Sequence, residues 1–241
     1  MSLPPPLQIL WLLPALLIGL AGAPLQAAPA DHAPGAAPMS TGQAVILGVV
    51  EGLTEFLPVS STGHLLLAQR ALGLGQAAQD KEAADAYAVC IQLGAILAVA
   101  GLYFRRVREM LLGLMGRCPA GWRLSHNLAV AFVPAAIAGL ALEKRIKLYL
   151  FGGDRWGLWP VVAAWLAGGL VILWLDRWLV ARGRRPAAEG LDSLTWRMAL
   201  GIGLAQCLAM WPGVSRSLAT IVGGLLVGLP LASAVEFSFL L

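Results

Sequence analysis

EGLTEFLPVSSTGHLLLAQ, residues 51–69, gathers two carboxylates, two serines and a histidine within fourteen positions of a chain otherwise built from apolar residues. Glu51 and Glu55 are four apart, so a helix places them on one face about a turn from each other. Pro58 is expected to end that helix, because proline lacks the N–H that helical continuation needs. Ser60, Ser61 and Thr62 then supply N-cap chemistry for a second half-helix, HLLLAQRAL, whose exposed backbone N–H groups form an anion site. The stretch therefore reads as a broken helix, and at membrane depth broken helices are tolerated only where they line a protein-enclosed or wet cavity.

Composition puts that break inside a membrane. Of 241 residues 59% are hydrophobic and 12% charged, and mean hydropathy is +0.76; soluble domains carry roughly 45–50% apolar and about 25% charged residues. The apolar stretches 87–104, 127–142 and 157–175 approach the roughly 17–25 residues a spanning helix requires. None alternates with a period of two, which excludes a barrel, so the expected class is an all-α polytopic membrane protein. The net charge of +4 comes mainly from arginines between the spans, which is topology signalling and not a nucleic-acid footprint. Cys90, Cys118 and Cys207 are far apart and read as small apolar residues.

Residues 1–38 contain an apolar run, LQILWLLPALLIGLAG, and a Pro/Ala-rich linker without any Lys or Arg. They are expected to be an atypical signal-like segment or a misread start, with Met39 as alternative initiator and 39–241 as the membrane domain. Lys and Arg number five in 105–123, four in 143–156 and five in 176–197. The first and third of these share a side and are expected in the cytoplasm, which puts the acidic connection 76–85 outside.

An internal repeat relates the break to a second one. Without gaps, GVVEGLTEFLPVSSTG (48–63) aligns with GLAQCLAMWPGVSRSL (203–218): Gly48 meets Gly203, Glu51 meets Gln206, Leu53 meets Leu208, Val59 meets Val214 and Ser60 meets Ser215. Three spans between the copies give them opposite orientation, the pattern of an inverted-topology repeat with a shared site in the membrane. The first half-repeat is expected over about 41–175 and the second over about 198–241, the latter unfinished because so little chain follows Ser215.

The chemistry follows from cost. Two ionised carboxylates in a poorly solvated place need a divalent cation with oxygen ligands, one shared proton or a facing basic group. Ser61 and His64, three apart, would share a helix face and could exchange a proton. In PGVSRSLAT (212–220) Pro212 and Gly213 break one helix, Ser215 or Ser217 caps the next, and Arg216 adds a guanidinium beside a helix N-terminus. Two helix N-termini, an arginine, hydroxyls and an acidic pair together suit a phosphate or pyrophosphate with a divalent cation, held by a molecule whose apolar remainder lies in lipid.

EGLTEFLPVSSTGH and PGVSRSLAT resemble the two signature motifs of the undecaprenyl-pyrophosphate phosphatase, or bacitracin-resistance, family. YAVCIQLGAILAV (87–99), GLD with Trp196-Arg197 (190–197) and EFSFLL (236–241) are similar to its further blocks. The resemblance implies hydrolysis of undecaprenyl pyrophosphate to undecaprenyl phosphate and inorganic phosphate, with magnesium or calcium, at a site on the outer face of the bacterial inner membrane. It assigns Glu51 and Glu55 to the cation and Glu55, Ser61, His64 and Arg216 to catalysis, Ser61 being nucleophile or substrate-binding hydroxyl. Ser60, Thr62, Ser215, Ser217 and Thr220 would bind substrate. Membrane lipids and the lipid substrate are the expected partners, and a homodimer is left open. Where the family usually has glycine in SRSGAT this chain has Leu218, expected to disturb the second anion loop. The rivals are a polyprenyl-phosphate transporter or flippase, in which Glu51 or Glu55 couples protons, and an inactive truncated paralogue.

Overall fold

The computed structural model describes residues 39–74, 78–146, 159–181 and 190–241, and among these the chain forms helices and no strand. In chain order they are α1 (Thr41–Thr54), α2 (Ser61–Ala71), α3 (Ala78–Leu102), α4 (Phe104–Leu114) and α5 (Pro119–Ile146). After these come α6 (Trp159–Ala181), α7 (Trp196–Gln206), α8 (Arg216–Leu226) and α9 (Leu231–Leu240), with 3-10 turns at Leu191–Ser193 and Cys207–Met210. The signal-like segment 1–38 and the basic stretches 147–158 and 182–189 lie outside the described residues.

The class is the all-α polytopic membrane protein that composition dictates. Three helices are long and apolar enough to cross a membrane, over Ala83–Leu102, Pro119–Leu142 and Trp159–Trp178. Their outward faces carry large aliphatic residues, Leu140 being 80% exposed, a surface suited to hydrocarbon. Two boundaries differ from expectation. The acidic connection is already helical from Ala78, and the arginine-bearing 105–123 is no loop: α4 occupies most of it and packs against α5. Helix α4 alternates Arg105, Arg106, Arg108 and Glu109 with Val107, Met110 and Leu111, so one face is charged and the other apolar. Arg106 joins Glu109 at 3.2 Å and Glu236 of α9 at 2.7 Å, tying the amphipathic helix to the far end of the chain.

The two breaks obey one template. Helices α1 and α7 begin at 41 and 196, α2 and α8 begin at 61 and 216, and these end at 71 and 226, each pair separated by the same 155 residues. Pro58 ends α1 as expected, but the end falls four residues before the proline itself. The helix stops at Thr54, its last turn closed by the Glu55 N–H bonding the Glu51 carbonyl at 2.9 Å. Proline at 58 cannot donate to the carbonyl of residue 54 and excludes Leu57 from helical geometry, so the backbone leaves the helix before reaching it. In the second copy α7 tightens into the Cys207–Met210 turn before Pro212, and Gly213 takes φ +89°, where a Cβ would stand 2.8 Å from the Val161 Cα. Glycine is required there on both counts.

The core lies in the second half. Ala131 of α5, Ala199 and Ile202 of α7 and Phe237 of α9 are wholly buried in one cluster with Leu225 and Leu229. Small residues let helices approach closely where lipid offers no hydrophobic drive between them. At Gly203 a Cβ would lie 2.2 Å from the Ala131 carbonyl oxygen. Gly203→Leu is therefore expected to separate α7 from α5 and to lower the detergent melting midpoint by roughly 2–10 °C, the range for about 1–3 kcal/mol of overpacking. Gly94→Leu on α3, with nothing within 4 Å of its Cβ position, is expected to melt like the parent; equal midpoints for the two variants would refute the packing account.

Candidate active site

Glu55 sits where α1 has just ended, and its two oxygens point to two different partners. Oε2 accepts the Ser61 hydroxyl at 2.5 Å, and Oε1 accepts Nη2 of Arg216 at 3.2 Å. One carboxylate thus joins the break of the first copy to the first residue of α8, 161 positions away. The Arg216 side chain is 57% exposed, so this ion pair contributes little to stability, under about 1 kcal/mol for such geometry. Its consequence is placement: the guanidinium is held at the break with donors left for another acceptor.

The two helix starts differ. At α8 the Ser215 hydroxyl accepts the Leu218 N–H at 3.2 Å and lies 2.9 Å from the Ser217 hydroxyl, as a capping serine should. Ser217 also reaches the Leu57 carbonyl at 3.5 Å. At α2 no side chain caps the helix: Ser60, expected as part of the cap, takes φ 68° and ψ 94° and makes no side-chain cap bond. It is the only non-glycine with positive φ among the described residues. Such strain persists where the surroundings over-determine it, and the first N–H groups of α2 have no side-chain cap.

His64 stands apart from the proton exchange expected of it. Its Nδ1–H donates to the Ser60 carbonyl at 2.8 Å, and its ring lies on Trp165 of α6 with centroids 4.6 Å apart. The Ser61 proton instead faces Glu55, because the first turn of α2 directs Ser61 back over the end of α1 while His64 faces α6. Thr220 also lies behind the expected clamp. Buried, it is 2.9 Å from the Arg216 carbonyl and 2.6 Å from the Ser238 hydroxyl of α9.

Glu55, Ser60, Ser61, Thr62 and residues 215–217 line a cavity of about 620 Å³, together with apolar residues that include Ile96, Val99, Phe239 and Leu240. Phe239 packs edge-on to Phe56 at 6.1 Å. Ser238 and Gln206 also border the cavity. Sequence reasoning missed both as site residues, although EFSFLL and the alignment of Gln206 with Glu51 contained the signal. Glu51 itself is 2% exposed, does not border the cavity, and has Oε2 without a hydrogen-bond partner among the described residues. An enclosed carboxylate oxygen with no donor suits a cation. Among the described residues no group of three or more His, Cys, Asp or Glu could hold a metal ion. Glu51 and Glu55 are the two carboxylates that could hold a divalent cation, magnesium or calcium, with water and substrate phosphate completing its shell.

Leu218 does not disturb the second anion loop. It is buried, and its Cδ2 lies 3.4 Å from where a Cβ on Gly168 of α6 would stand, so the branched side chain turns away from the cavity into space that glycine leaves open. Its backbone N–H keeps the Ser215 cap.

Residues 44–241 match the model of a protein family described as bacitracin resistance protein BacA. The chain is 48% identical over 199 residues to Undecaprenyl-diphosphatase 2 of Rhodospirillum rubrum, covering 83% of this chain and 68% of that protein. It is 48% identical over 200 residues to Undecaprenyl-diphosphatase of Sorangium cellulosum, covering 82% and 61%, and 46% identical over 199 residues to that of Ectopseudomonas mendocina, covering 83% and 67%. The chain thus spans about two thirds of the length of these relatives, and somewhat less of the second.

The orientation of Leu218 separates stability from anion binding. Leu218→Ala is expected to empty the space beside Gly168 and cost about 2–5 kcal/mol, read as a lower melting midpoint. Affinity for inorganic phosphate, measured by calorimetry, is expected to stay within twofold of the parent. A large loss of phosphate affinity with unchanged melting would show that the side chain acts in the loop after all.

Proposed function

Because the chain belongs to the bacitracin resistance protein BacA family, we propose that it hydrolyses undecaprenyl pyrophosphate to undecaprenyl phosphate and inorganic phosphate. That reaction recycles the lipid carrier of peptidoglycan synthesis and gives resistance to bacitracin. The observation that carries the reading is the Glu55 carboxylate, engaging Ser61 and Arg216 together at the wall of a cavity lined by both polar and apolar residues.

In this reading the polyprenyl chain lies against Ile96, Val99 and Leu240, and the pyrophosphate meets the polar lining residues. Glu51 and Glu55 would hold a divalent cation, magnesium or calcium, which would supply neutralisation of the pyrophosphate charge. In direct attack the Ser61 oxygen bonds to the terminal phosphorus as the bond from that phosphorus to the bridging oxygen breaks. The Ser61 proton goes to Glu55 Oε2, undecaprenyl phosphate leaves, and water hydrolyses the phosphoserine to inorganic phosphate; otherwise Ser61 orients the water that attacks. Arg216 and the N–H groups at the start of α2 and α8 stabilise the charge that develops on the transferred phosphoryl group. Ser60, Thr62, Ser215 and Ser217 bind phosphate oxygens. Thr220 supports the loop from behind through Ser238, and His64 acts by position, holding the strained Ser60 turn through its carbonyl.

In this reading the protein sits in the bacterial inner membrane and substrate reaches the site from the outer side, as in the family that its motifs resemble. The feature that weighs against outward access is the cavity's extension to Val107 and Met110 on the arginine-bearing α4. Thr62→Cys labelled by a membrane-impermeant thiol reagent in intact cells supports outward access, and labelling only in inverted vesicles reverses it.

Phosphate release by the detergent-solubilised protein tests the reaction. Metal-dependent release is expected, abolished by a chelator, with kcat/KM lowered about 100-fold or more in Glu55→Gln, Ser61→Ala and Arg216→Ala. His64→Gln is expected to lose less than any of these. No release by the parent would overturn the reading, and full cellular function of Ser61→Ala would favour polyprenyl-phosphate transport, which needs no nucleophile.

A further inference from the structure

Gln206 is the last residue of α7 and occupies, in the second copy, the position Glu51 occupies in the first. Both side chains are buried, exposed at 2% for Glu51 and 7% for Gln206, and each leaves one side-chain oxygen enclosed with no hydrogen-bond partner among the described residues. A buried polar group left unsatisfied in a native structure calls for an explanation, such as strain, a water, an ion or a ligand. The two residues differ in surroundings and in charge. Gln206 borders the cavity together with Ser215 and Arg216, Glu51 does not, and a carboxamide is neutral where a carboxylate repels phosphate.

We propose that Gln206 is a binding residue for the pyrophosphate group, its carboxamide N–H donating to a phosphate oxygen from the α7 side of the cavity. The inference rests on the lipid-pyrophosphate reading above. No protein donor among the described residues holds the amide through Oε1, and an amide in this position can present its NH2 group to an anion in the cavity it lines. The two copies then differ in what they bring to the cavity: the first contributes the Glu55 carboxylate, with Glu51 buried outside the lining, and the second contributes Arg216 and Gln206, which suit phosphate.

Gln206→Met keeps the bulk and removes the donor, and Gln206→Glu keeps the shape and adds a negative charge. Both are compared with the parent by phosphate-release kinetics, by calorimetric titration with inorganic phosphate and by melting in detergent. Gln206→Met is expected to raise KM and to weaken inorganic-phosphate affinity by about tenfold each, the effect of one lost hydrogen bond to an anion, with kcat within about threefold. Gln206→Glu is expected to weaken both further, with part of the loss recovered at higher magnesium. Parent-like KM and phosphate affinity in either folded variant would overturn the proposal, and so would a fall in kcat alone. A parent protein that binds inorganic phosphate but releases none would sink the hydrolase reading, and the phosphate affinities would still decide the role of Gln206.

Discussion

The structure depends on one carboxylate shared between two broken helices. Glu55 stands where α1 has just ended and holds the Ser61 hydroxyl with one oxygen and the Arg216 guanidinium with the other. Neither bond stabilises the fold greatly, since Arg216 is largely exposed. Together they fix the distance between the start of α2 and the start of α8, and that distance defines the polar lining of the cavity. Energy of folding comes from elsewhere, from the close approach of α5, α7, α8 and α9 around Ala131, Ile202 and Phe237. The packed half of the molecule holds Arg216 in place, and Arg216 locates the more exposed first break through Glu55.

Backbone geometry explains why the polar groups can sit at this depth. An uninterrupted helix satisfies its own N–H groups and offers nothing to an anion, whereas each break exposes a fresh first turn. The second copy uses Ser215 to occupy one of those N–H groups and leaves Arg216 to supply positive charge. The first copy has no side-chain cap and pays with a left-handed Ser60, steadied by His64 through the Ser60 carbonyl. The difference in capping gives the two anion sites different amounts of free backbone.

Much of this was legible in residue order because it is local. The breaks follow from Pro58 and from Pro212-Gly213, the repeat from a gapless alignment that the helix boundaries reproduce, and the apolar spans from length and hydropathy. The misreadings concern what lies across the fold. Helical spacing puts Ser61 and His64 on one face, but it cannot show that Glu55 returns to take the Ser61 proton or that Trp165 receives the His64 ring. Leu218 looked obstructive because the partner that accommodates it, Gly168, is fifty residues away on α6. Helix α4 was hidden by its arginines, which count equally as loop charges or as the polar face of an amphipathic helix.

Duplication by itself would have produced a site of little use for a pyrophosphate. Two equal copies would set a carboxylate pair on each side of the cavity, which suits a cation but repels phosphate from both directions. The copies instead diverge at equivalent positions: Glu51 against Gln206, Glu55 against Met210, Ser61 against Arg216. The backbone template is kept, as the shared 155-residue offset of the helix starts shows, while at these positions the first copy carries the carboxylates and the second the guanidinium. Glu55 can bridge them only because of this divergence, since a glutamate at 210 would compete for Arg216 and a second serine at 216 would leave Glu55 without its cationic partner. The asymmetry of the side chains, laid on a symmetric backbone, is what turns two helix breaks into a single site.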